Sequence, residues 1–399
     1  MYKTLQLRKN EEHRLRGGHL WVYSNEVEVA ATPLTGFAPG ELAVLVDYRG
    51  RPLGTAYVNP HSLICARLLG RAPDIVPDAA WFARRLEAAA ALRKRLFERP
   101  FYRLVYGESD ALPGLVIDRY DTVCSVQLGT AGMELCKDAV LAALQQVAQP
   151  EAVVLRNDAP IRALEGLAPY VEAVPAVPAR VQVEENGLRF ELEPLTGQKT
   201  GWFYDHRMNR ARLPAYVRGR RVLDMFSYSG AWGVQAAAAG ARQVVCVDES
   251  RAALDLLVHN ARLNGVADRI EAHHGEAFAT LKALHEAGEV FDVVVLDPPA
   301  FIKRRKDKAA GARAYQRLNQ LALQLLDADG ILISASCSFH LAADELRGVL
   351  LQAAQHAGRE LQILEQGHQG PDHPVHPAIP ETAYLKCFIA RAYRGDAAD

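Results

Sequence analysis

The chain has 399 residues, enough for two or three domains, since single hydrophobic cores rarely grow past a few hundred residues. Its hydrophobic content of 49%, charged content of 23% and formal net charge of −1 describe a globular protein, and the near-neutral balance weighs against a dedicated nucleic-acid binder unless its basic residues are clustered. No basic start leads into an apolar run, and the longest apolar stretch, Ala231 to Val247, is broken by Gln235, Gly240, Arg242 and Gln243, so neither a secretory signal nor a membrane span is expected.

Residues 1–70 read as short strands and turns. Glu41 to Asp47 is a strand, Tyr48 to Arg51 a turn and Pro52 to Val58 a second strand, a pattern that suits a small β-barrel. The proline-bearing stretch Arg71 to Pro77 separates it from a helix over 78–98, where Trp81, Leu86, Leu92 and Leu96 fall on roughly one side and Arg84, Arg85, Arg93, Lys94 and Arg95 elsewhere. Leu115 to Tyr120 and Thr122 to Leu128 form a hairpin pattern, followed by a helix from about Glu134 to Val147. This middle part is α+β. A second proline-bearing stretch, Val171 to Arg180, makes a non-helical connection. The boundaries expected are 1–72, 73–185 and 186–399.

From residue 181 a hairpin-like segment leads into alternating strands and helices. Strands are expected at 221–225, 243–248, 269–273, 291–296, 330–336 and 383–391, with helices near 231–239, 250–264, 276–287, 311–328 and 341–357. The fold class is therefore α/β here, a mostly parallel sheet with helices on both faces. Ligands in such sheets sit at the carboxyl ends of the strands.

The strongest local signal runs from Arg221 to Gly233, where a buried strand enters a tight turn containing Gly230 and opens a helix. Gly230 lets backbone approach a ligand, and the helix amino end favours carboxylate or phosphate. Val244 to Asp248 is a second strand ending in an acid, placed to accept from ribose hydroxyls. A dinucleotide would need a pyrophosphate cradle, usually G-x-G-x-x-G. Ser227 and Ser229 occupy the glycine-like places instead, and Asp224 at the mouth of the first strand would repel a pyrophosphate. An acid there suits the ammonium of a methionine moiety, so S-adenosylmethionine is favoured over a dinucleotide. Glu276, after the third strand, is placed to bond the adenine amino group or to act as an ordinary loop carboxylate.

The fourth strand ends Asp297-Pro-Pro-Ala-Phe301. A carboxylate fixed by prolines beside an aromatic ring makes a platform for a planar base. Asp297 can accept from an exocyclic amine or hold a proton against a ring nitrogen, and Phe301 can stack or pack. The run Lys303-Arg-Arg-Lys-Asp-Lys308 follows directly. It reads as a solvated face or, beside the platform, as a holder of backbone phosphates; Tyr315, with Arg313 and Arg317, extends the same face.

Six cysteines stand at 65, 124, 136, 246, 337 and 387 with no C-x-x-C pair. That argues against a zinc ribbon, a redox motif or a disulfide framework, and no metal is expected. A reducing cytoplasm fits best, and each thiol is by default a small buried hydrophobe. Cys337 departs from that default, flanked by Ser336 and Ser338 where the fifth strand leaves the sheet, at the same edge as Asp224, Asp248 and Asp297. C5 of a pyrimidine is too poor a nucleophile to attack a sulfonium methyl unaided, and a thiolate adding at C6 activates it. Methylation of a purine amine needs no such thiol.

These residues resemble the bacterial ribosomal RNA large subunit methyltransferase I family and its relatives that make 5-methylcytosine. Arg16 to Glu26 resembles the family's N-terminal PUA domain, a small RNA-binding barrel, Arg103 to Arg119 its central α+β domain, and Thr196 to Arg207 the signature entering its Rossmann-like class I methyltransferase domain. The resemblance implies that Cys337 is the nucleophile and that Asp297 orients the substrate. It places Asp224, Phe226, Ser227, Gly230, Asp248 and Glu276 at cofactor positions, with Tyr204, Asp205 and Arg207 lining the entry. Pro298, Phe301, Lys303, Arg304 and Arg305 would then meet the substrate. His206 stands where the family usually has glutamine, and Glu276 where aspartate is more usual.

The expected function is S-adenosylmethionine-dependent C5-methylation of a cytosine in 23S ribosomal RNA through a covalent cysteine adduct. Large-subunit ribosomal RNA is the expected partner, with a homodimer as an option. Two other readings stand beside it: a purine N-methyltransferase, for which Cys337 is incidental, and a non-catalytic RNA-binding ribosome-assembly factor. A dinucleotide oxidoreductase lacks an evident catalytic acid or hydride-acceptor pocket.

Overall fold

The computed structural model describes residues 2–198 and 200–395; Lys199, within the Thr196–Arg207 signature, lies outside the described residues. The chain divides into two compact units, one made of Met1–Val183, Leu192–Tyr204 and Pro371–Thr382, the other of Glu184–Glu191, Asp205–Gly370 and Ala383–Asp399.

In the first unit, β1 (Lys3–Gln6), α1 (Glu12–Arg16), β2 (Trp21–Tyr23), β3 (Glu41–Val46), β4 (Pro52–Val58) and β5 (Ile64–Gly70) build a sheet in the order β1-β3-β4-β5-β2. An isolated antiparallel bridge between Leu7 and Val27 joins the two edges just beyond β1 and β2, closing the barrel around Leu5, Val22, Leu45, Ala56 and Leu68. Next come α2 (Ala79–Leu96), β6 (Phe101–Tyr106), β7 (Leu115–Tyr120), β8 (Val123–Leu128), α3 (Ala131–Leu135), α4 (Lys137–Ala148), β9 (Ala152–Asn157), α5 (Ile161–Leu164) and β10 (Tyr170–Val174), with sheet order β10-β9-β8-β7-β6. Asp78 caps α2 by accepting from Trp81 N. The faces of α2 differ from the sequence expectation: Leu92 and Leu96 are exposed, whereas Arg93 is fully buried. Arg93 lies inside because its fork is satisfied there, by both oxygens of Asp110 and by the Arg103 and Asp372 carbonyls.

A hairpin of β11 (Val181–Glu185) and β12 (Leu188–Leu192) precedes α6 (Arg207–Arg210) and α7 (Pro214–Val217). The second unit then alternates β13 (Arg221–Met225), α8 (Gly233–Ala238), β14 (Gln243–Asp248), α9 (Arg251–Leu263), β15 (Ile270–His274), α10 (Ala277–Glu286), β16 (Phe291–Leu296), α11 (Lys308–Gln324), β17 (Leu326–Ser336), α12 (Ala343–His356), β18 (Glu360–Gly367) and β19 (Lys386–Tyr393). The sheet order is β15-β14-β13-β16-β17-β19-β18. The first five of these pair in parallel, and β19 runs antiparallel between β17 and β18. This is the Rossmann-like arrangement expected from the sequence, and the strand order switches direction beside β13, where such sheets bind ligands at their carboxyl edge.

Several element boundaries depart from expectation, among them β19, expected at 383–391 and found at Lys386–Tyr393. The helix expected to reach 328 ends at Gln324, and β17 begins at Leu326, because the irregular Asp327–Gly330 step still pairs with β19 through Asp329 and Tyr393. The strand β18 was not expected at all. Among the described residues no helix is long and apolar enough to cross a membrane, and no group of three metal-ligating side chains is present.

Candidate active site

The turn after β13 is built from the backbone outward. Asp224 is fully buried, and neither carboxylate oxygen has a hydrogen-bond partner; burial pushes its pKa well above the usual carboxylate range. Phe226 and Tyr228 hold positive φ angles of 64° and 45°, a conformation that non-glycine residues adopt at a cost and that clusters at ligand clamps. The buried hydroxyls of Ser227 and Ser229 also lack partners. Gly230 serves packing: at φ 90°, a Cβ there would press on Leu257 and Val234, so its lack of a side chain lets the turn sit against α9. Asp248, half-buried at the end of β14, accepts from Tyr228 N at 2.8 Å and Ser250 N at 2.9 Å, leaving one lone pair on each oxygen.

The other residues assigned to the cofactor are scattered in kind. Glu276 is exposed and caps α10 by accepting from Ala279 N at 2.9 Å. Tyr204 belongs to the first unit, where it is buried, donates to the Arg119 carbonyl and stacks near Tyr120. Asp205 accepts from the Tyr384 hydroxyl at 2.6 Å. Arg207 Nε lies 3.7 Å from Glu185, the carboxylate that Arg210 grips with two donors.

Asp297 is held on both oxygens. Trp232 Nε1 donates to one at 3.0 Å, and His206 Nε2 stands 3.2 Å from the other, angled away from a straight hydrogen bond yet close enough for an ion pair. Burial alone would raise the Asp297 pKa and lower that of His206. Their attraction outweighs it, depressing the carboxyl and lifting the imidazole to about 10. Carboxylates 205, 224, 248 and 297 thus lie close enough in the second unit to feel one another's charge, a setting suited to a cation.

Cys337 is half-buried just past β17, its sulfur 4.0 Å from the carbonyl of Pro298. The neighbouring Ser338 Oγ bonds both the Tyr315 hydroxyl, at 3.0 Å, and Ile302 N, at 3.2 Å, tying the thiol's loop to the Asp297–Phe301 loop. Tyr315 is therefore buried and faces Ser338, and does not extend the basic face; Arg313 and Arg317, two residues to either side, point outward. Phe301 packs at 4.7 Å against Tyr315, Pro298 is buried, and Lys303, Arg304 and Arg305 are exposed, Arg304 paired with Asp307. Sequence reasoning missed His206 and Trp232 as the clamp on Asp297, since neither lies near it in the chain. It also missed Lys386, the cation that opens β19.

An orphaned buried carboxylate, two orphaned hydroxyls and an acid at the end of the second strand fit a ligand carrying ammonium, sulfonium and ribose. Residues 170–391 match the family model of the S-adenosylmethionine-dependent methyltransferases, and residues 5–71 match a PUA-like domain. The chain is 38% identical over 399 residues to the ribosomal RNA large subunit methyltransferase I of Salmonella arizonae, covering 98% of both chains. It is 38% identical over 396 residues to the Cronobacter sakazakii protein of that name, covering 97% of this chain and 99% of the relative. A candidate SAM-dependent methyltransferase from Streptococcus mutans shares the fold, with a TM-score of 0.81 at 20% identity over 98% of this chain and 100% of that one. The chain is an S-adenosylmethionine-dependent methyltransferase and belongs to the ribosomal RNA large subunit methyltransferase I family.

Proposed function

We propose that this chain methylates C5 of a cytosine in large-subunit ribosomal RNA, with Cys337 as covalent nucleophile. The observation that carries the reading is a half-exposed thiol at the carboxyl edge of β17, its loop fastened to the Asp297 platform through Ser338. Asp224 would take the methionine ammonium and Asp248 the ribose, with the turn from Phe226 to Gly230 and Glu276 beside them. Asp205 and Arg207 would line the entry, and Tyr204 completes the assignment. The bound donor supplies an electrophilic methyl group.

Cys337 adds to C6 of the base: an S–C6 bond forms, the C5–C6 π pair moves into the ring, and N3 takes up a proton. C5 would then attack the donor's methyl group, the S–CH3 bonding pair staying on sulfur so that S-adenosylhomocysteine leaves. A base would then take the C5 proton, that C–H pair re-forming the C5–C6 double bond as the S–C6 pair leaves on the thiolate, and N3 would give back its proton. Asp297, kept ionised by His206 and Trp232, supports the accepting role, receiving a hydrogen bond from the exocyclic amine of cytosine. The same carboxylate would be met by a uracil carbonyl as repulsion, which favours cytosine. A base paired in a duplex must first be extruded, and an unpaired one is cheaper to reach. Pro298 and Phe301 would frame the base, with Lys303, Arg304 and Arg305 on nearby phosphates.

The test uses ribosomal RNA from cells lacking the protein. Cys337→Ala should bind S-adenosylhomocysteine normally and transfer no methyl group. RNA carrying 5-fluorocytosine should trap a protein–RNA adduct with the wild type, since fluorine cannot leave as a proton does. Full methylation by Cys337→Ala would end the covalent reading, and methylation without an adduct would favour a purine amine.

A further inference from the structure

Lys386 opens β19 and is only 8% exposed. Its ammonium bonds two neutral carbonyls, Ser338 O at 2.6 Å and Tyr384 O at 2.7 Å. Among the described residues no carboxylate lies within ion-pair distance of it. A buried cation without a counter-charge is costly and is usually kept for something it does. Its position suggests what. The register of β17 and β19 sets Lys386 opposite Ser336, the residue before Cys337, while its nitrogen reaches the carbonyl of Ser338, the residue after. The cation spans the turn that carries the thiol.

We propose that Lys386 is a positioning residue for the nucleophile, its buried ammonium holding the turn at Cys337 and stabilising the sulfur in its thiolate form. This rests on the reading of Cys337 as the nucleophile. The cation gains the counter-charge it lacks, and the thiolate gains the positive neighbour that reactive cysteines need. No proton passes between the two: the thiol loses its proton to solvent, and the ammonium balances the charge left on sulfur.

The groups around the pair point the same way. Glu345, on α12, is the carboxylate that Lys386 feels, but Lys308 engages it at 2.6 Å and Ala342 N at 2.9 Å. Tyr315, on α11, is buried, its hydroxyl on Ser338 and its pKa raised by burial, so it stays neutral. Asp297 is balanced by His206. Burial brings Lys386 down to about 8 even with Cys337 and Glu345 holding it up, which leaves the amine mostly charged at neutral pH.

The measurement is the pH dependence of iodoacetamide alkylation at Cys337 in the full chain, read by peptide mass spectrometry. Cys136, half-buried and pushed up to about 11 by burial, serves as the internal reference. The wild-type inflection at Cys337 should lie below the ordinary thiol value of about 8.5. Lys386→Met should raise it by about one unit or more, slowing alkylation at pH 7 roughly tenfold. Lys386→Arg should restore most of the rate. Superimposable profiles for wild type and Lys386→Met would overturn the proposal. Should Lys386→Met not fold, a wild-type inflection at or above about 8.5 overturns it and a lower one supports it. Methylation by Cys337→Ala judges the nucleophile separately: a depressed thiol in a chain that methylates without it keeps this inference and removes the covalent mechanism.

Discussion

Asp224 and Asp297 end neighbouring strands, β13 and β16, and differ in what holds them. Asp297 has Trp232 on one oxygen and His206 beside the other, whereas Asp224 has no full hydrogen bond on either, only the Gly233 N–H close by. An ionised carboxylate in that state costs stability, because the folded state binds its proton more tightly than the unfolded chain does. With the folded pKa raised, that loss begins as pH climbs past the ordinary carboxylate value and is in force at neutrality. Such a cost is tolerable where a ligand cation repays it. Asp224→Asn should therefore raise thermal stability at pH 7, by about 1 kcal/mol or more, with the gain shrinking as pH falls toward 4. The same variant should weaken S-adenosylmethionine binding by about 2 kcal/mol or more, roughly thirtyfold in Kd. Melting curves and calorimetric titration read the two effects. A variant that binds the donor as tightly as wild type would remove Asp224 from the ammonium site.

At the scale of elements, the strand–turn–helix formed by β13 and α8 works only because the helix approaches the sheet closely. A Cβ on Gly233 would collide with Cys246 Sγ on β14 and stand 3.0 Å from Asp224 Oδ2. Gly233→Ala should cost about 1–3 kcal/mol in urea denaturation and weaken donor binding as Asp224 shifts; an unchanged midpoint would mean that the helix floats free of the sheet. The buried strands of this sheet were legible in sequence because burial on both faces writes continuous apolar runs such as Val222–Leu223 and Val293–Leu296. The strand β18 was not, since it is an edge: Ile363 and Leu364 are both about half exposed, and its place is fixed by backbone pairing to β19. Spacing along a helix failed for Arg93 and Tyr315, whose burial depends on partners, Asp110 and Ser338, far away in sequence. The same reason hid half of the site. Asp224, Asp248, Asp297 and Cys337 announce themselves at strand ends, whereas His206 and Lys386 become meaningful only when the fold brings them to those ends.

For the molecule as a whole, a net charge of −1 gives no general attraction to RNA, so affinity must come from where the cations stand. Many are spent internally: Arg67, Arg93, Arg156, Arg162 and Arg210 are buried and paired with carboxylates. The run from Lys303 to Lys306 is exposed throughout and follows the Asp297–Phe301 platform in the chain. Should this run hold phosphates next to the target base, each contact would release counterions and steepen the salt dependence of binding by about 0.7 in log–log slope for single-stranded RNA. Replacing Lys303, Arg304 and Arg305 together by alanine should lower that slope by roughly 2, Arg304 contributing least because Asp307 already engages it at 3.0 Å. Methyl transfer at saturating RNA should stay within about twofold of wild type, since these side chains touch backbone and not the reacting base. Filter-binding isotherms across a salt series, paired with single-turnover rates, separate the outcomes. A slope that does not move would make the run a solvated loop, and a rate that collapses at saturating RNA would place it in the chemistry of the site.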